Sequence, residues 1–413
     1  MSQHETDRRT FLQASAAVAA SAATLRAQDA PKAADAPKVN PVIPKRALGK
    51  TGVEITMLDQ GAVRGPTLDR ILRFSYAQGV RVFDTAKVYG SEPNFKKWFE
   101  AEPAVRKEIF LVTKDEIRDA GKMIASVDER LKVLGTDHID LFFLHGLGDD
   151  NVGGPKHAVE LVKSAEFKKA VDALKKSGKV KLVGFSTHHK DRASIISAAA
   201  EAGSVDAIML QYRPWLDKES PLNKALDEAH AKGIGLISMK QIAGNSLGDK
   251  PQGNVLEDVK NKVPMLKEKG LSAYQGLLYA IWSDERISSV CISMRNTDQI
   301  RENVEAAHKF EPLKTAEMEQ LRSAILAAGP TLCGDCDGRC SIAAKTGAEL
   351  GNLTRFLTYH QHLGDRSKAR AEYAKLSAEA KDWAGADLEA ARAACPSGLD
   401  FARLLPEADR RLA

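Results

Sequence analysis

The stretches VRVFDTA (80–86), IFLVTK (109–114) and IDLFFLH (139–145) decide the fold of this chain. Each is a short run rich in Val, Ile, Leu and Phe, which is typical of strands buried on both faces of a parallel sheet. Similar runs occur on either side of them: TMLDQGAV (56–63), VKLVGFS (180–186), DAIMLQY (206–212), IGLISMK (234–240) and SVCISMR (289–295). Amphipathic helical patterns such as 125–135 and 164–178 lie between the runs, and glycines follow where helices should end.

Eight such strand–helix units predict an α/β fold, a single (β/α)8 TIM barrel. The competing fold is an open, doubly wound sheet, which usually has a G-x-G-x-x-G turn after its first strand. That turn is missing from the sequence, so the barrel is favoured. Before the first strand, KRALGKTGVEIT (45–56) indicates a short hairpin that turns at Thr51-Gly52 and could plug the base of the barrel.

The alternation of strands and helices ends near residue 328. We therefore predict a barrel domain at 44–328 and a small C-terminal module at 329–413, which is polar, Ala-rich and helical in pattern. The whole chain has 413 residues, of which 43% are hydrophobic and 28% charged, with a net charge of +5. Because the charges are interspersed and no apolar run reaches 18 residues, the sequence argues against nucleic-acid binding and against a membrane span in the mature protein.

Four ionisable side chains end or follow consecutive predicted strands. Asp84 ends the second strand, Tyr89 follows it, and Lys114 and His145 end the third and fourth strands. The carboxyl ends of barrel strands meet at one face, where reactive groups gather. A Lys ammonium favours the phenolate of a nearby Tyr, a carboxylate holds the Lys in place, and a neutral His can orient a carbonyl. Together they predict a proton-donating site for carbonyl reduction with a nicotinamide as the hydride source, although each residue alone would also suit packing or a surface charge.

The chain resembles the aldo-keto reductases over about residues 44–325. The segments GVRVFDTAKVYGSE, LVTK, FFLHG, VGFS and QIREN occur in that family's order. By this resemblance Tyr89 would be the general acid/base, Asp84 and Lys114 would tune it, and His145 would orient the substrate. The resemblance implies an NAD(P)-dependent oxidoreductase that interconverts a small carbonyl compound (an aldehyde, ketone or sugar) and an alcohol.

The resemblance also implies residues that bind NADP(H). Ser186 in GFSTHH matches a position that contacts the nicotinamide carboxamide, and Met239 stands where the family often has a ring-stacking aromatic. The other matches lie in MRNTDQIREN, with the adenosine phosphate near Arg295 and Asn296 and the adenine near Gln299, Glu302 and Asn303. An Arg there favours NADP over NAD through charge-assisted contacts. The alternative interpretation of this last stretch is a surface helix with ordinary charges.

The N-terminus resembles a twin-arginine export signal. DRRTFLQ (7–13) precedes an Ala-rich run and an A-x-A-like cleavage site, with Ala27 as the last residue removed. We therefore expect a signal peptide at 1–27, a flexible linker at 28–43, passage through the twin-arginine translocation machinery and a periplasmic mature protein. Export of a folded chain suits a protein whose cofactor is loaded in the cytoplasm. An Arg pair before an Ala-rich helix could also arise by chance.

Four cysteines mark the C-terminal module. CGDCDGRC contains Cys333, Cys336 and Cys340, and Cys395 follows in AACPSGLD. This C-x2-C-x3-C group with a distant Cys-Pro resembles a ferredoxin-like [4Fe–4S] site, which four thiolates hold, and some aldo-keto reductases have such a C-terminus. Two disulfides or a structural zinc are the alternatives. The remaining cysteine, Cys291, lies in an apolar strand and is interpreted as a core thiol.

The leading hypothesis is an exported aldo-keto reductase with an iron–sulfur module that is structural or exchanges electrons with a partner protein. Free NADPH is not expected outside the cytoplasm, so the cofactor would travel bound, or the nicotinamide would not be the working redox partner. Two other functions stay open, namely a barrel that binds or senses without turnover and an iron–sulfur electron-transfer protein. Met239, and Met209 where the family often has Gln, favour a sensor, whereas the four strand-end residues favour an enzyme.

Overall fold

Eight parallel strands close into a barrel in the structure, a computed structural model that describes residues 40–62, 65, 67–189, 191–214, 219–241, 260–327, 338–362, 366–395 and 399–413. The strands are the antiparallel hairpin β1 (Lys45–Ala47) and β2 (Glu54–Thr56), then the barrel strands β3 (Leu58–Gln60), β4 (Val82–Asp84), β5 (Phe110–Asp115), β6 (Ile139–Leu144), β7 (Val180–Thr187), β8 (Ala207–Gln211), β9 (Gly235–Met239) and β10 (Ile287–Ile292). β10 pairs in parallel with β3 and closes the sheet. The predicted (β/α)8 barrel is therefore confirmed, and the open doubly wound sheet is wrong.

Helices alternate with the barrel strands. They are α1 (Leu68–Ala77), α2 (Glu92–Ala101), α3 (Val105–Glu108), α4 (Met123–Leu134), α5 (Gly154–Lys163), α6 (Ala165–Lys176), α7 (Arg192–Ala202), α8 (Pro221–Ala231), α9 (Pro264–Glu268), α10 (Ala273–Trp282), α11 (Thr297–His308) and α12 (Thr315–Ala327), with 3-10 turns at Lys87–Tyr89, Ala120–Lys122, Asp150–Val152 and Lys260–Lys262. α4 ends at Gly135, whose φ of 64° lies in the left-handed region that glycine adopts without strain. Ser164 begins α6, where its side chain accepts a hydrogen bond from the amide of Phe167.

The barrel strands bury both of their faces. Phe83, Leu111 and Phe142 lie in the core between the strands and the helices, whereas Val82 and Val112 lie in the core inside the barrel. This alternation follows from the two-residue period of a strand. The near-continuous apolar runs of the sequence are explained by this double burial.

The N-terminal hairpin closes the amino end of the barrel. Leu48 and Ile55 are buried within the interior core, and Leu48 packs against Gly235 at the start of β9. The Arg46 guanidinium donates hydrogen bonds to the carbonyl oxygens of Trp282 and, at 2.9 Å, of Ile287. The predicted hairpin is confirmed, and the carboxyl ends of the strands lie at the opposite end of the barrel.

The C-terminal region builds a second hydrophobic core of its own. Its helices are α13 (Arg339–Ala343), α14 (Leu350–His362), α15 (Arg366–Ala374), α16 (Ala378–Lys381), α17 (Leu388–Ala394) and α18 (Phe401–Leu412). Leucines of α14 and α18 fill this core, and the Tyr373 hydroxyl and the Trp383 indole both donate to the Asp409 carboxylate, at 2.8 and 3.0 Å. In the described part of the chain, no helix combines the length and the apolarity that crossing a membrane requires.

Candidate active site

A buried ion pair lies at the carboxyl ends of β4 and β5. The Lys114 ammonium contacts both carboxyl oxygens of Asp84 and donates a third hydrogen bond, of 3.1 Å, to the carbonyl oxygen of Thr85. Lys114 is 1% exposed and Asp84 is 3% exposed. Each of these residues follows an interior apolar residue by two positions, so the strand period alone turns both side chains into the barrel.

Tyr89 and His145 complete the group. Tyr89 ends a 3-10 turn after β4, and its hydroxyl lies 3.3 Å from His145 Nε2, with the two rings edge to face. The Lys114 ammonium lies 5.5 Å from the centre of the Tyr89 ring. The structure therefore brings together all four residues that the strand ends predicted to be reactive.

The surroundings of this group favour a neutral His145 and a charged Lys114. Burial, and then the charge of Lys114, lower the pKa of His145 to about 3, so its imidazole is neutral at neutral pH. Burial opposes the charge of Lys114, but attraction to Asp84, Tyr89 and Cys291 outweighs it and raises the pKa of the ammonium above its ordinary value. A neutral imidazole therefore contacts the tyrosine hydroxyl and a charged ammonium lies near its ring, which suits proton transfer at that oxygen.

Further charges surround His145 at the open end of the barrel. His188 Nε2 lies 3.4 Å from Asp149 Oδ2, and burial together with Lys240 lowers the pKa of His188 to about 3. Lys240 follows β9 with a φ of 52°, a left-handed conformation that is uncommon for a residue with a side chain. The mouth of the barrel is therefore polar, with a cation next to two neutral imidazoles.

The predicted nicotinamide residues lie on neighbouring parts of the same face. Ser186 is buried on β7, where its hydroxyl accepts a 3.2 Å hydrogen bond from the amide of Gly146, and Met239 is half-buried at the end of β9. Met209 is buried beside Ser186 on β8, and Gln211 lies opposite Met239. A ring bound against this wall would meet sulfur-containing side chains, which pack well on aromatic faces.

The predicted adenosine residues lie at the beginning of α11. Asn296 is the N-cap, and its side chain accepts from the amides of Asp298 and Gln299 at 3.1 and 2.9 Å. The Gln299 side chain in turn accepts from the Arg295 amide at 2.8 Å, and the Glu302 carboxylate accepts from the Ser272 hydroxyl. Arg295 is exposed, and Asn303 is buried one turn further along the helix. An exposed Arg beside a helix N-terminus is a suitable place for a phosphate, although the cap already occupies two of the amides.

Sequence reasoning missed Asp59. It is fully buried on β3, and its partner across the β3–β10 pairing is Cys291. Burial, and then the charge of Asp84, raise the pKa of Asp59 well above its ordinary value. Cys291 packs against the interior core as predicted, but two carboxylates lie next to it. The signal was present in TMLDQGAV, where a single carboxylate interrupts an apolar strand just as Asp84 does.

The predicted metal ligands fall only partly within the described residues. Cys333 and Cys336 lie outside them, as does the signal peptide at 1–27. Cys340 is buried on α13, and Cys395 is half-buried where α17 ends, and both contact the second core. The iron–sulfur site therefore stays a prediction.

The comparison with protein families decides the identity of the barrel. Residues 56–326, well over half of the chain, match the model of the aldo/keto reductase family. The chain belongs to the aldo/keto reductase family. It is an oxidoreductase of that family, and its C-terminal module lies beyond the matched residues.

Curated aldo/keto reductases are similar to the barrel along almost their whole length. L-galactose dehydrogenase of Arabidopsis thaliana is 28% identical over 296 residues, which cover 66% of this chain and 90% of that protein. L-glyceraldehyde 3-phosphate reductase of Escherichia coli K12 is 25% identical over 329 residues, which cover 67% of this chain and 90% of that protein. Both names describe redox enzymes, in agreement with the family assignment.

A solved aldo-keto reductase shares the barrel. The enzyme from Bacillus halodurans, known in apo and holo forms, has a TM-score of 0.52 with 20% identity, covering 68% of this chain and 96% of its own. This likeness concerns the fold alone.

Proposed function

We propose that this protein is an exported aldo/keto reductase that interconverts a small polar carbonyl compound and its alcohol with NADP(H). The observation that carries the proposal is the position of the Tyr89 hydroxyl, 3.3 Å from the neutral imidazole of His145 and close to the buried Asp84–Lys114 pair. Tyr89 thus combines an imidazole contact with a nearby buried ammonium.

Each side chain of this group has one task in the proposed reaction. In reduction, Tyr89 gives its proton to the carbonyl oxygen as that oxygen gains negative charge, and in oxidation it takes the proton back. Lys114 stabilises the phenolate that remains, and Asp84 keeps the ammonium in place. His145, which is neutral, can donate a hydrogen bond to the carbonyl oxygen and orient it beside Tyr89. The nicotinamide, when bound, supplies the hydride in reduction and accepts it in oxidation.

The residues around this group fit a nicotinamide dinucleotide. Ser186 presents a buried hydroxyl for the carboxamide, and Met239 offers an apolar side chain to the ring. Arg295 and Asn296 would hold the adenosine phosphate, and Gln299, Glu302 and Asn303 would line the adenine. The exposed guanidinium of Arg295 favours the additional phosphate of NADP.

The relatives and the barrel mouth support a sugar-like substrate. One curated relative is named for L-galactose and another for L-glyceraldehyde 3-phosphate. The neutral imidazole of His188, the Asp149 carboxylate and the Lys240 ammonium surround the approach to His145, where they could pair with hydroxyl groups. We therefore infer that a polyhydroxylated aldehyde or ketone suits the site better than an apolar one.

Export and the metal centre form the second part of the proposal. The twin-arginine pattern supports a periplasmic protein that crosses the membrane folded, with its cofactor already bound. Cys333, Cys336, Cys340 and Cys395 would hold a [4Fe–4S] cluster, and a redox partner protein would exchange electrons with it. Iron and acid-labile sulfide in anaerobically purified protein would support this part, whereas zinc or intact disulfides would contradict it.

The first experiment is a titration of the purified protein with NADPH and NADH, followed by quenching of tryptophan fluorescence. Saturable binding, tighter for NADPH, is expected, and a screen of sugar aldehydes should then show turnover. Tyr89→Phe is the discriminating variant, because it removes only the hydroxyl that carries the proton. It should bind NADPH as the wild type does and lose turnover by about 10²–10⁴-fold. A variant that retains full turnover would contradict the role of Tyr89, and a wild type that binds neither nucleotide would favour a sensing barrel.

A further inference from the structure

Two carboxyl groups lie close together inside the barrel, but one ammonium serves them. Asp59 on β3 and Asp84 on β4 point into the barrel, and their oxygens and the Cys291 sulfur all lie within 4.8 Å of one another. Asp59 is 0% exposed, and neither of its oxygens makes a well-aligned hydrogen bond within the described residues, although the Cys291 thiol is close enough to interact with it.

Lys114 cannot supply the missing partner. An ammonium has three protons to donate, and those of Lys114 go to the two oxygens of Asp84 and to the carbonyl oxygen of Thr85. The ionisable groups that face Asp59 are Asp84 on β4, Lys114 on β5 and Cys291 on β10. If Asp59 and Asp84 were both ionised, they would repel each other strongly, because they are buried close together and the nearby ammonium of Lys114 already pairs with Asp84.

A metal ion would be one way to relieve that repulsion, because two carboxylates and a thiolate are possible ligands. The ammonium of Lys114 already occupies both oxygens of Asp84, however, and a divalent cation would have to displace it. A proton relieves the repulsion without disturbing the ion pair, and it converts Asp59 from an acceptor into a donor.

We propose that Asp59 is a neutral carboxylic acid that donates a hydrogen bond to the Asp84 carboxylate, and that it is thereby a positioning residue for the Asp84–Lys114 pair. This inference rests on the proposed function, in which that pair serves Tyr89. With Asp59 protonated, Asp59, Asp84 and Lys114 together carry no net charge. The ammonium then stabilises the Tyr89 phenolate without an added negative charge beside it. An ionised Asp59 would add a negative charge beside Lys114 and make the Tyr89 hydroxyl harder to deprotonate.

The protonation of Asp59 can be tested without any activity, through the pH dependence of stability. The folded protein keeps the Asp59 proton, whereas an unfolded chain releases it above about pH 4. The wild-type protein therefore becomes less stable as the pH rises from about 4 toward the raised pKa of Asp59. Asp59→Asn has no such group to titrate, so its melting temperature should exceed that of the wild type by about 3 °C or more at pH 8 and approach it at pH 5.

Asp140→Asn is the matched control, because Asp140 is also buried on a barrel strand but meets two cations. It lies 2.9 Å from Arg106 and 2.6 Å from Lys181. Removal of its charge should lower the melting temperature at pH 8, the opposite of the result expected at Asp59. If Asp59→Asn also melts below the wild type at pH 8, Asp59 is a carboxylate and the proposal is wrong.

The positioning role is tested by comparing Asp59→Asn with Asp59→Leu. The Asn amide can still donate to Asp84 and Leu cannot, so Leu should lower kcat about tenfold more than Asn. Neither side chain ionises, so both variants should shift the alkaline limb of the reduction rate to higher pH. Equal losses in both variants at every pH would overturn this role, as would stoichiometric binding of Zn²⁺ that Asp59→Asn abolishes. A protein without nicotinamide-dependent turnover would contradict the proposed function, while the melting curves would still decide the protonation of Asp59.

Discussion

The buried charged groups inside the barrel and those between its strands and helices differ in how completely they are paired. Outside, between the strands and the helices, Glu92 accepts hydrogen bonds from Thr113, at 2.7 Å, and from the Arg130 guanidinium. Inside, Asp59 finds no well-aligned partner in the described part of the chain, and Lys114 is shared among its neighbours. Glu92 and Asp59 are both almost fully buried, so the difference between them lies in how completely the polar groups are paired.

This difference separates structural charges from reactive ones. Burial raises the pKa of Glu92, but its two donors, Thr113 and Arg130, lower it, and this pairing holds α2 and α4 against the barrel. Asp59 has no such donors within the described residues, and burial and Asp84 raise its pKa well above its ordinary value, while burial and Lys114 lower the pKa of His145 to about 3. Incomplete pairing at the carboxyl ends of the strands is therefore consistent with proton transfer there.

The largest effect is expected from Lys114→Met. The substitution removes the only cation that contacts Asp84 in the described residues, so Tyr89 loses its electrostatic support. We expect turnover to fall about 10²–10⁴-fold, as measured with saturating NADPH and a sugar aldehyde. Far-ultraviolet circular dichroism should confirm that the variant is folded. Turnover within a few fold of the wild type would show that the interior charges are structural after all.

Arg130→Met should act on stability and not on chemistry. Its side chain is 4% exposed and that of Glu92 is 2% exposed, so the substitution leaves a buried carboxylate without its cation. Loss of one partner of a buried pair typically lowers the free energy of unfolding by about 3–5 kcal/mol. Urea denaturation measures the loss, and the double variant Glu92→Gln with Arg130→Met should recover part of it. A loss below about 1 kcal/mol would remove the contrast between the two regions.

The smallest effect is expected on the surface of α6. Lys168 and Asp172 form a 3.0 Å ion pair in which both side chains are 62% exposed. Water and salt screen such a pair, so Lys168→Gln should change the free energy of unfolding by less than about 0.5 kcal/mol. Urea denaturation at low and high salt provides the measurement. A loss comparable to that of Arg130→Met would mean that burial does not distinguish these pairs.

Much of the barrel could be predicted because its signals are local. The apolar runs predicted all eight strands, since double burial requires apolar side chains at nearly every position. Asp84, Lys114 and His145 could be singled out because each ends such a run, and Tyr89 because it follows one. Asp59 carries the same signal, but nothing in TMLDQGAV alone indicates which charges lie beside it.

By itself, the sequence determined the strand pattern, the polar residues at the carboxyl ends of the strands and the cysteine spacing of the C-terminal module. These are properties of short segments, set by side-chain type and by the two-residue period of a strand. Closure of the barrel decided the rest. It placed β10 beside β3, which set Asp59 against Cys291, while the pairing of β3 with β4 set Asp59 near Asp84 and the Lys114 ammonium. Only the tertiary structure decides such a charge balance, because an electrostatic interaction depends on distance and burial in space and not on separation along the chain.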